Sequence, residues 1–360
     1  MLETLKYLMG IAGPSGHGSK SNAEQVTESN PIIPSITAIV TGTIHNPRRR
    51  YPSFRLTTIS GATSGIGAET ARVLAKRGAT VVIPARNRKA AADVISRIRS
   101  ELPESRIIVM DLDLSSLRSV RQFAAEFESL RLPLNVLINN AGKFAHEHAL
   151  SDDGVELTFA TNYLGHFLLT QLLLKTMITT AKESGIQGRI VNVSSRIHSW
   201  FTGDIVQYIG EISANNCSFD PTRAYALSKL ANALHTKELA EKLKAMEANV
   251  TVNAVNPGIV RTKLTREREG FATDAAFFLA SKLLKTIPQA AATSCYVATH
   301  PNLANVSGKY FEDCNEASPS KLGCSAVESA RLWAISEILV SNGPKKAIDP
   351  FLSEKALNVY

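Results

Sequence analysis

The sequence predicts an α/β fold: one domain built on a doubly wound parallel sheet with helices on both faces. Three observations predict it. Short β-rich runs alternate with longer helical runs from residue 35 to about residue 340, and strands with intervening helices imply parallel βαβ units. A glycine-rich turn, Gly61-Ala-Thr-Ser-Gly-Ile-Gly67, enters one of those helical runs. With 44% hydrophobic and 20% charged residues in a chain of 360, there is apolar material for a large buried core. The alternation is unbroken and no internal repeat is evident, so 35–345 is read as one domain, with an arm at 1–34 and a tail at 346–360.

Strands are expected at 36–41, 80–83, 106–110, 135–138, 189–193, 251–254 and 309–311, and helices at 68–77, 117–130, 155–180, 224–244 and 328–340. Residues 2–11 are apolar but short and lack a basic flank, so a secretory signal is not expected. They suit a short amphipathic helix, either packed on the domain or lying peripherally on a membrane. Gly, Ser, Asn and Pro dominate 13–34, which reads as an arm or linker. Within it, Gly13 to Ser21 resembles a phosphate loop, but Lys20 comes one place too late and no strand precedes it. No apolar run reaches the length of about 18 residues that a spanning helix needs.

The formal net charge is +8, much of it from Arg48, Arg49, Arg50 and Arg55 in one short stretch. Such a run usually faces solvent, and no nucleic-acid motif accompanies it, so a nucleic-acid partner is not expected. The cysteines, Cys217, Cys295, Cys314 and Cys324, form no C-x-x-C pair and have no histidine at zinc spacing. Free thiols in a reduced compartment are expected. His146 and His148 have no evident third ligand, and no metal is expected.

The turn residues Gly61, Ser64, Gly65, Ile66 and Gly67 are candidate cofactor contacts, because glycines let the backbone approach a pyrophosphate seated on a helix N-terminus. A plain glycine turn between two elements is the competing reading, but a helix, a strand and then Arg86 follow in the right order. Arg86 ends the second strand, where an acid would bind a ribose 2′-hydroxyl; an arginine there favours the 2′-phosphate of NADP(H). Tyr225 and Lys229 stand four apart and share one helix face. A tyrosine titrating near 10 is a poor proton shuttle at neutral pH, and a neighbouring ammonium together with a positive nicotinamide ring favours the phenolate and lowers that value. Alone the pair is weak, since chance supplies roughly half an occurrence among eight tyrosines. Upstream, Arg189-Ile-Val-Asn-Val-Ser194-Ser195 is a strand ending in two serines on the ligand side of an open sheet.

Together these residues resemble the short-chain dehydrogenase/reductase family over about residues 35–340. Asn139-Asn-Ala-Gly142 is similar to the family's N-N-A-G after the fourth strand, with Asn140, Ala141 and Gly142 as cofactor contacts. Asp113 and Leu114 resemble its adenine-contacting pair, and Asn162 its helix asparagine that holds a proton-relay water. Pro257, Gly258 and Thr262 resemble the loop that brackets the nicotinamide amide. The resemblance implies a Rossmann-type fold, NADP(H) as cofactor and a catalytic tetrad of Asn162, Ser195, Tyr225 and Lys229, in which Tyr225 and Lys229 also contact the cofactor, Lys229 by a hydrogen bond to the nicotinamide ribose. It implies hydride transfer between the nicotinamide and a carbonyl or alcohol, in which Tyr225 moves the proton and no metal is required. Leu168-Leu-Thr-Gln-Leu-Leu-Leu174 and Ser307-Gly-Lys-Tyr-Phe311 resemble the retinol-dehydrogenase-like branch. Asn22-Ala-Glu-Gln-Val-Thr27 and the C-terminal half resemble plant members linked to the chloroplast inner-envelope import apparatus, which implies a chloroplast location. The resemblance is compatible with a homodimer or a monomer.

Ser195 and Tyr225 lie thirty positions apart, so 200–223 forms a long excursion at the mouth of the site. Its Trp200, Phe201, Tyr208, Ile209 and Phe219 suit an apolar pocket for a hydrophobic substrate, or a lid packed on its own domain. The stretch 277–285 is basic and amphipathic like a calmodulin target, although a lid or dimer-face helix is the favoured role.

One segment departs from the family pattern. There the first strand runs directly into T-G-x-x-x-G-x-G; here Thr41-Gly42 has the correct strand before it and Gly61 to Gly67 the correct helix after it. Residues 43–61 read as an insertion that splits the motif, far longer than the usual connection of about 2–6 residues. Two threadings compete for the first strand. Hydrophobicity favours 36–41, whereas continuity with the phosphate turn favours 55–60, and the second consideration is given the greater weight. The interruption also raises a cofactor-impaired scaffold or regulator as the alternative function.

Overall fold

In the computed structural model, which describes residues 2–28, 36–42, 65–214, 218–260 and 284–341, strand β1 is Thr37–Val40. It pairs in parallel with β2 (Thr80–Ala85) on one side and β4 (Val136–Asn139) on the other. The central place therefore belongs to the earlier hydrophobic segment, which corrects the preference for 55–60. The reason is two-sided burial: a strand covered by helices on both faces must be apolar on both. Ala38 and Ile39 are fully buried and Val40 nearly so, whereas 55–60 would bring Arg55, Thr57, Thr58 and Ser60 into the same slot. That segment lies outside the described residues.

The remaining strands are β3 (Ile107–Asp111), β5 (Gly188–Val193), β6 (Val250–Asn256), β7 (Tyr310–Glu312) and β8 (Asn315–Ala317). The described strands form one sheet in the order β3-β2-β1-β4-β5-β6-β7-β8, parallel except for β8. The expected strands are all present, with bounds shifted by a residue or more. β8 was not expected; it returns from β7 through Asp313 and Cys314, both at positive φ. Neither residue is the glycine that usually advertises such a two-residue hairpin.

The described helices are α1 (Leu2–Met9), α2 (Ala23–Thr27), α3 (Ile66–Lys76), α4 (Arg88–Glu101), α5 (Leu117–Ser129), α6 (Leu157–Phe159), α7 (Gly165–Ser184), α8 (Ile205–Ser213), α9 (Pro221–Ala245), α10 (Ile287–Thr299) and α11 (Ala326–Ser341). A π-helical turn, Ala160–Leu164, joins α6 to α7. Strand side chains alternate between two apolar layers, as the period of two requires. Ile39, Val82, Leu137 and Ile190 face the layer of α5, α7, α9 and α11, with Phe123, Phe167, Leu234 and Trp333. Ala38, Val81, Ile138 and Val191 face the layer of α3, α4 and α10, with Leu74, Val94 and Tyr296.

Residues 13–28 are not a free linker. Asn22 and Gln25 form a capping box that starts α2, and Ala23 and Val26 are fully buried in the second apolar layer. Glu24 pairs with Arg72 and Lys76 of α3, both at 2.6 Å. His17 packs edge-on against Tyr296, with ring centroids 5.7 Å apart.

The strand order reverses between β1 and β4. In such sheets ligands bind outside the carboxyl ends of the strands at this point, and the predicted site residues cluster there.

Candidate active site

The cofactor end is assembled by close backbone approaches. Gly65 caps α3 with extended backbone and no side-chain cap, so no side chain competes for the helix's first N–H groups. A Cβ on Gly67 would lie 2.5 Å from Asn140 Nδ2 and 3.3 Å from the Thr41 carbonyl oxygen, so only glycine lets α3 reach the ends of β1 and β4. Asn140 Nδ2 in turn donates to the Thr41 carbonyl at 2.8 Å. The Thr41 hydroxyl accepts from the Asn140 and Ala141 amides at 2.9 and 3.0 Å. Thr41, read from the sequence as the end of a strand and the start of the split glycine motif, is the junction of β1 with the N-N-A-G turn.

Arg86 follows β2 with its side chain 59% exposed, 4.0 Å from Asp113. Asp113 accepts from the Ser115 amide and hydroxyl at 2.9 and 2.6 Å, which fixes the bend after β3. The Leu114 carbonyl lies where a Cβ on Gly165 would stand, so glycine is required at the start of α7. Pro257 follows β6 and is buried. Gly258 has φ +81°, and Lys285 methylenes lie 3.0 Å from where its Cβ would be. Lys285 is itself buried and paired with Asp313 at 2.5 Å, holding this loop against the β7–β8 turn. Gly61, Ser64 and Thr262 lie outside the described residues, as do 277–283, most of the stretch compared with a calmodulin target.

The acid/base groups converge on the ends of β4 and β5. Lys229 is buried, donates to the Val193 carbonyl at 3.0 Å and lies 5.6 Å from the centre of the Tyr225 ring. A Cβ on Gly142 would stand 3.4 Å from Lys229 Nζ and 3.9 Å from Asn162 Oδ1, so this glycine brings the cofactor turn against both polar groups. The two serines after β5 divide the work. Ser194 is buried and donates to the Lys229 carbonyl at 2.7 Å, tying the strand to α9. Ser195 is partly exposed and caps the 3-10 turn Arg196–Trp200 by accepting from the Ile197 amide at 3.4 Å, so in that contact its proton is not used.

Asn162 sits in the π turn, a distortion often found at functional sites. Its Oδ1 accepts from the Lys143 amide at 2.7 Å, and its Nδ2 donates to the Lys143 carbonyl at 2.9 Å and to Ser228 Oγ at 3.0 Å.

Burial sets the titration of the pair. It pushes the Tyr225 phenol up to about 12 and brings the Lys229 ammonium down to about 8. In the protein alone, desolvation therefore outweighs the lowering of Tyr225 expected from its lysine neighbour. Tyr225 still reaches the crevice, since it is only partly buried.

The excursion 200–223 is folded down rather than lining a pocket with all its aromatics. Phe201, Tyr208 and Ile209 are buried in the first apolar layer. Arg223 lies 4.0 Å over the Tyr208 ring. Trp200 is 69% exposed and Phe219 partly so. The aromatic beside Tyr225 is instead Phe144, with ring centroids 5.4 Å apart. Phe144 was missed because its signal is only its place two residues beyond Gly142 in the N-N-A-G turn.

The sequence profile described as short chain dehydrogenase matches residues 55–271. That match begins at residue 55 and leaves out β1. The chain is 45% identical to "Short-chain dehydrogenase TIC 32 B, chloroplastic" of Brassica napus over 345 residues, covering 95% of this chain and 100% of the relative. It is 39% identical to retinol dehydrogenase 14 of Homo sapiens over 297 residues, covering 78% and 85%. Among solved structures, an uncharacterized protein from Mycobacterium Paratuberculosis superposes with a TM-score of 0.65 at 29% identity, covering 88% of this chain and 98% of that one. An actinorhodin polyketide ketoreductase solved with NADPH shares the fold, with a TM-score of 0.54 at 22% identity, covering 81% and 99%. By profile, by relatives and by sheet order, the chain belongs to the short-chain dehydrogenase family.

Proposed function

We propose that this protein is an NADP(H)-dependent oxidoreductase that interconverts an apolar carbonyl compound and its alcohol. The observation that carries the proposal is the convergence of Lys229, Asn162 and Gly142 beneath Tyr225, beside a strand end that presents Ser195. The cofactor fits the residues present. Gly65 and Gly67 leave room at the start of α3, Gly142 leaves room above Lys229, and Arg86 stands exposed where a 2′-phosphate would lie.

When bound, NADPH supplies the hydride. Ser195 donates a hydrogen bond that orients the substrate oxygen. Tyr225, protonated at neutral pH, gives its proton to that oxygen as negative charge develops on it. Lys229 holds a positive charge under the phenol ring and stabilises the phenolate left behind. Asn162, anchored on both sides of Lys143, holds the path by which a proton returns.

Support for an apolar substrate comes from three side chains. Phe144 flanks Tyr225, Trp200 ends the turn capped by Ser195, and Ile259, 69% exposed, follows Gly258. Relatives 39% identical to this chain carry the names retinol dehydrogenase and polyprenol dehydrogenase. A chloroplast location is proposed from the Brassica napus relatives, whose names place them there. Homodimerisation, peripheral membrane association and a calmodulin-binding segment are further proposals.

Arg86→Asp is the direct test of cofactor choice. Removing the cation and adding a carboxylate at a ribose 2′-phosphate is expected to weaken NADPH binding by at least about tenfold, since hydrogen bonds to charged groups contribute about 1.5–3 kcal/mol. NADH binding should hold or improve. Fluorescence titration with both nucleotides reads the ratio; an unchanged preference would remove Arg86 from the site.

A further inference from the structure

His166 belongs to none of the expected site residues, yet it lies between the two halves of the site. It is buried, 1% exposed. Its Nδ1 faces the Asn162 carbonyl oxygen at 3.1 Å and its Nε2 faces the Thr41 hydroxyl at 2.8 Å. A carbonyl oxygen only accepts, so Nδ1 carries the proton. Burial holds the ring's pKa down to about 4, so it is neutral at neutral pH and Nε2 is a bare acceptor. The Thr41 hydroxyl therefore donates to Nε2 rather than to the Ile138 carbonyl at 3.3 Å. Its lone pairs are left to receive the Asn140 and Ala141 amides. One directed chain of hydrogen bonds runs from the N-N-A-G turn through Thr41 and His166 to the backbone of Asn162.

Asn162 lies in the π turn. In this turn the Gly165 amide reaches back five residues to the Ala160 carbonyl. The Asn162 carbonyl takes side-chain donors, His166 Nδ1 and Asn232 Nδ2, the latter at 3.3 Å. The turn that aims the Asn162 side chain is thus tied to α9 through Asn232 and to the end of β1 through His166 and Thr41.

We propose that His166 is a positioning residue: it locks the π turn bearing Asn162 to the Thr41–Asn140 junction, setting the proton path in register with the cofactor-binding end of the sheet. Its catalytic consequence rests on the oxidoreductase reading; its hydrogen-bond direction does not. A histidine that only filled core volume would be replaceable by Phe without effect on turnover.

Three measurements test it. In the full chain with 15N-labelled histidine, the His166 ring should show the Nδ1–H tautomer and no titration between about pH 5 and 8. His166→Phe keeps an aromatic ring but removes both nitrogens. Its kcat is expected to fall roughly 10- to 100-fold, the scale of a misplacement of about 1 Å, with KM for NADPH within about threefold. His166→Asn, which restores a donor toward Asn162, should recover most of the loss. Should the Phe variant not fold, His166→Leu, which also removes both nitrogens with a smaller apolar side chain, should show the same split. An Nε2–H ring, a titrating ring, or an unchanged kcat in folded variants would overturn the proposal. If the wild type shows no turnover at all, the oxidoreductase reading fails while the positioning role stays decidable. The Lys143 amide, which donates to Asn162 Oδ1, should shift in the Phe variant and return in the Asn variant; an unmoved amide would overturn the role.

Discussion

Tyr225→Phe is expected to lower turnover by about 10²- to 10⁴-fold, the range contributed by a positioned acid or base, while NADPH binds with nearly unchanged affinity. The asymmetry follows from the site. The phenol's main task is proton delivery, whereas most of the contacts that would hold the nucleotide belong to Gly65, Gly67, Arg86, Asn140 and Gly142. Removing one hydroxyl oxygen leaves the ring packed against Phe144 and over Lys229. Stopped-flow single turnover with saturating NADPH separates the two quantities. A variant that loses binding and rate together would move Tyr225 from acid to structural support.

The second large effect concerns residues 43–61. Their deletion joins Gly42 to Ala62 and produces Thr41-Gly42-Ala62-Thr63-Ser64-Gly65-Ile66-Gly67, a continuous T-G-x-x-x-G-x-G. β1 and α3 already stand where that turn requires them: the Thr41 carbonyl lies 3.3 Å from the position a Gly67 Cβ would take. Restoring the direct turn is expected to tighten NADPH binding by on the order of 100-fold, the equivalent of one or two charge-assisted hydrogen bonds to phosphate. Calorimetric titration of the full and shortened chains reads this directly. Equal and tight binding would show that the extra stretch is tolerated. Binding that appears only after deletion would favour the alternative reading, a dehydrogenase fold whose cofactor turn is impaired and whose role is that of a scaffold or regulator.

Much of this was legible in the sequence, for definable reasons. Tyr225 and Lys229 share a helix face, and a spacing of four survives any uncertainty in the helix bounds. The N-N-A-G turn and the paired serines follow strands whose apolar runs are unambiguous. The first strand was harder, because two segments compete for one place. Continuity with the glycine turn pointed to 55–60, yet two-sided burial selected Thr37–Val40. The family profile, which begins at residue 55, follows the continuity.

Other features had no local signature. The π turn at Ala160–Leu164 has no residue pattern that separates it from the α-helix expected over 155–180. Phe201, Tyr208 and Ile209 have the same composition whether they line a pocket or close a core; the inward face of α8, with Phe201 before it, packs in the core. The docking of 13–28 was hidden by its Gly, Ser and Pro content, although the Asn22–Gln25 capping box was readable. The rise of the Tyr225 phenol in the protein alone was not readable either, because a neighbouring charge can be named from sequence, whereas desolvation depends on packing.

The central claim is that this chain transfers a hydride from NADPH to an apolar carbonyl, with the proton supplied by Tyr225. The most direct test is isotopic: incubate the full chain with NADPH deuterated at nicotinamide C4 and a panel of apolar aldehydes and ketones, then analyse the alcohols by mass spectrometry. Deuterium on the carbinol carbon, lost in Tyr225→Phe, is the predicted result. Bound NADPH with no deuterium in any product would contradict the claim.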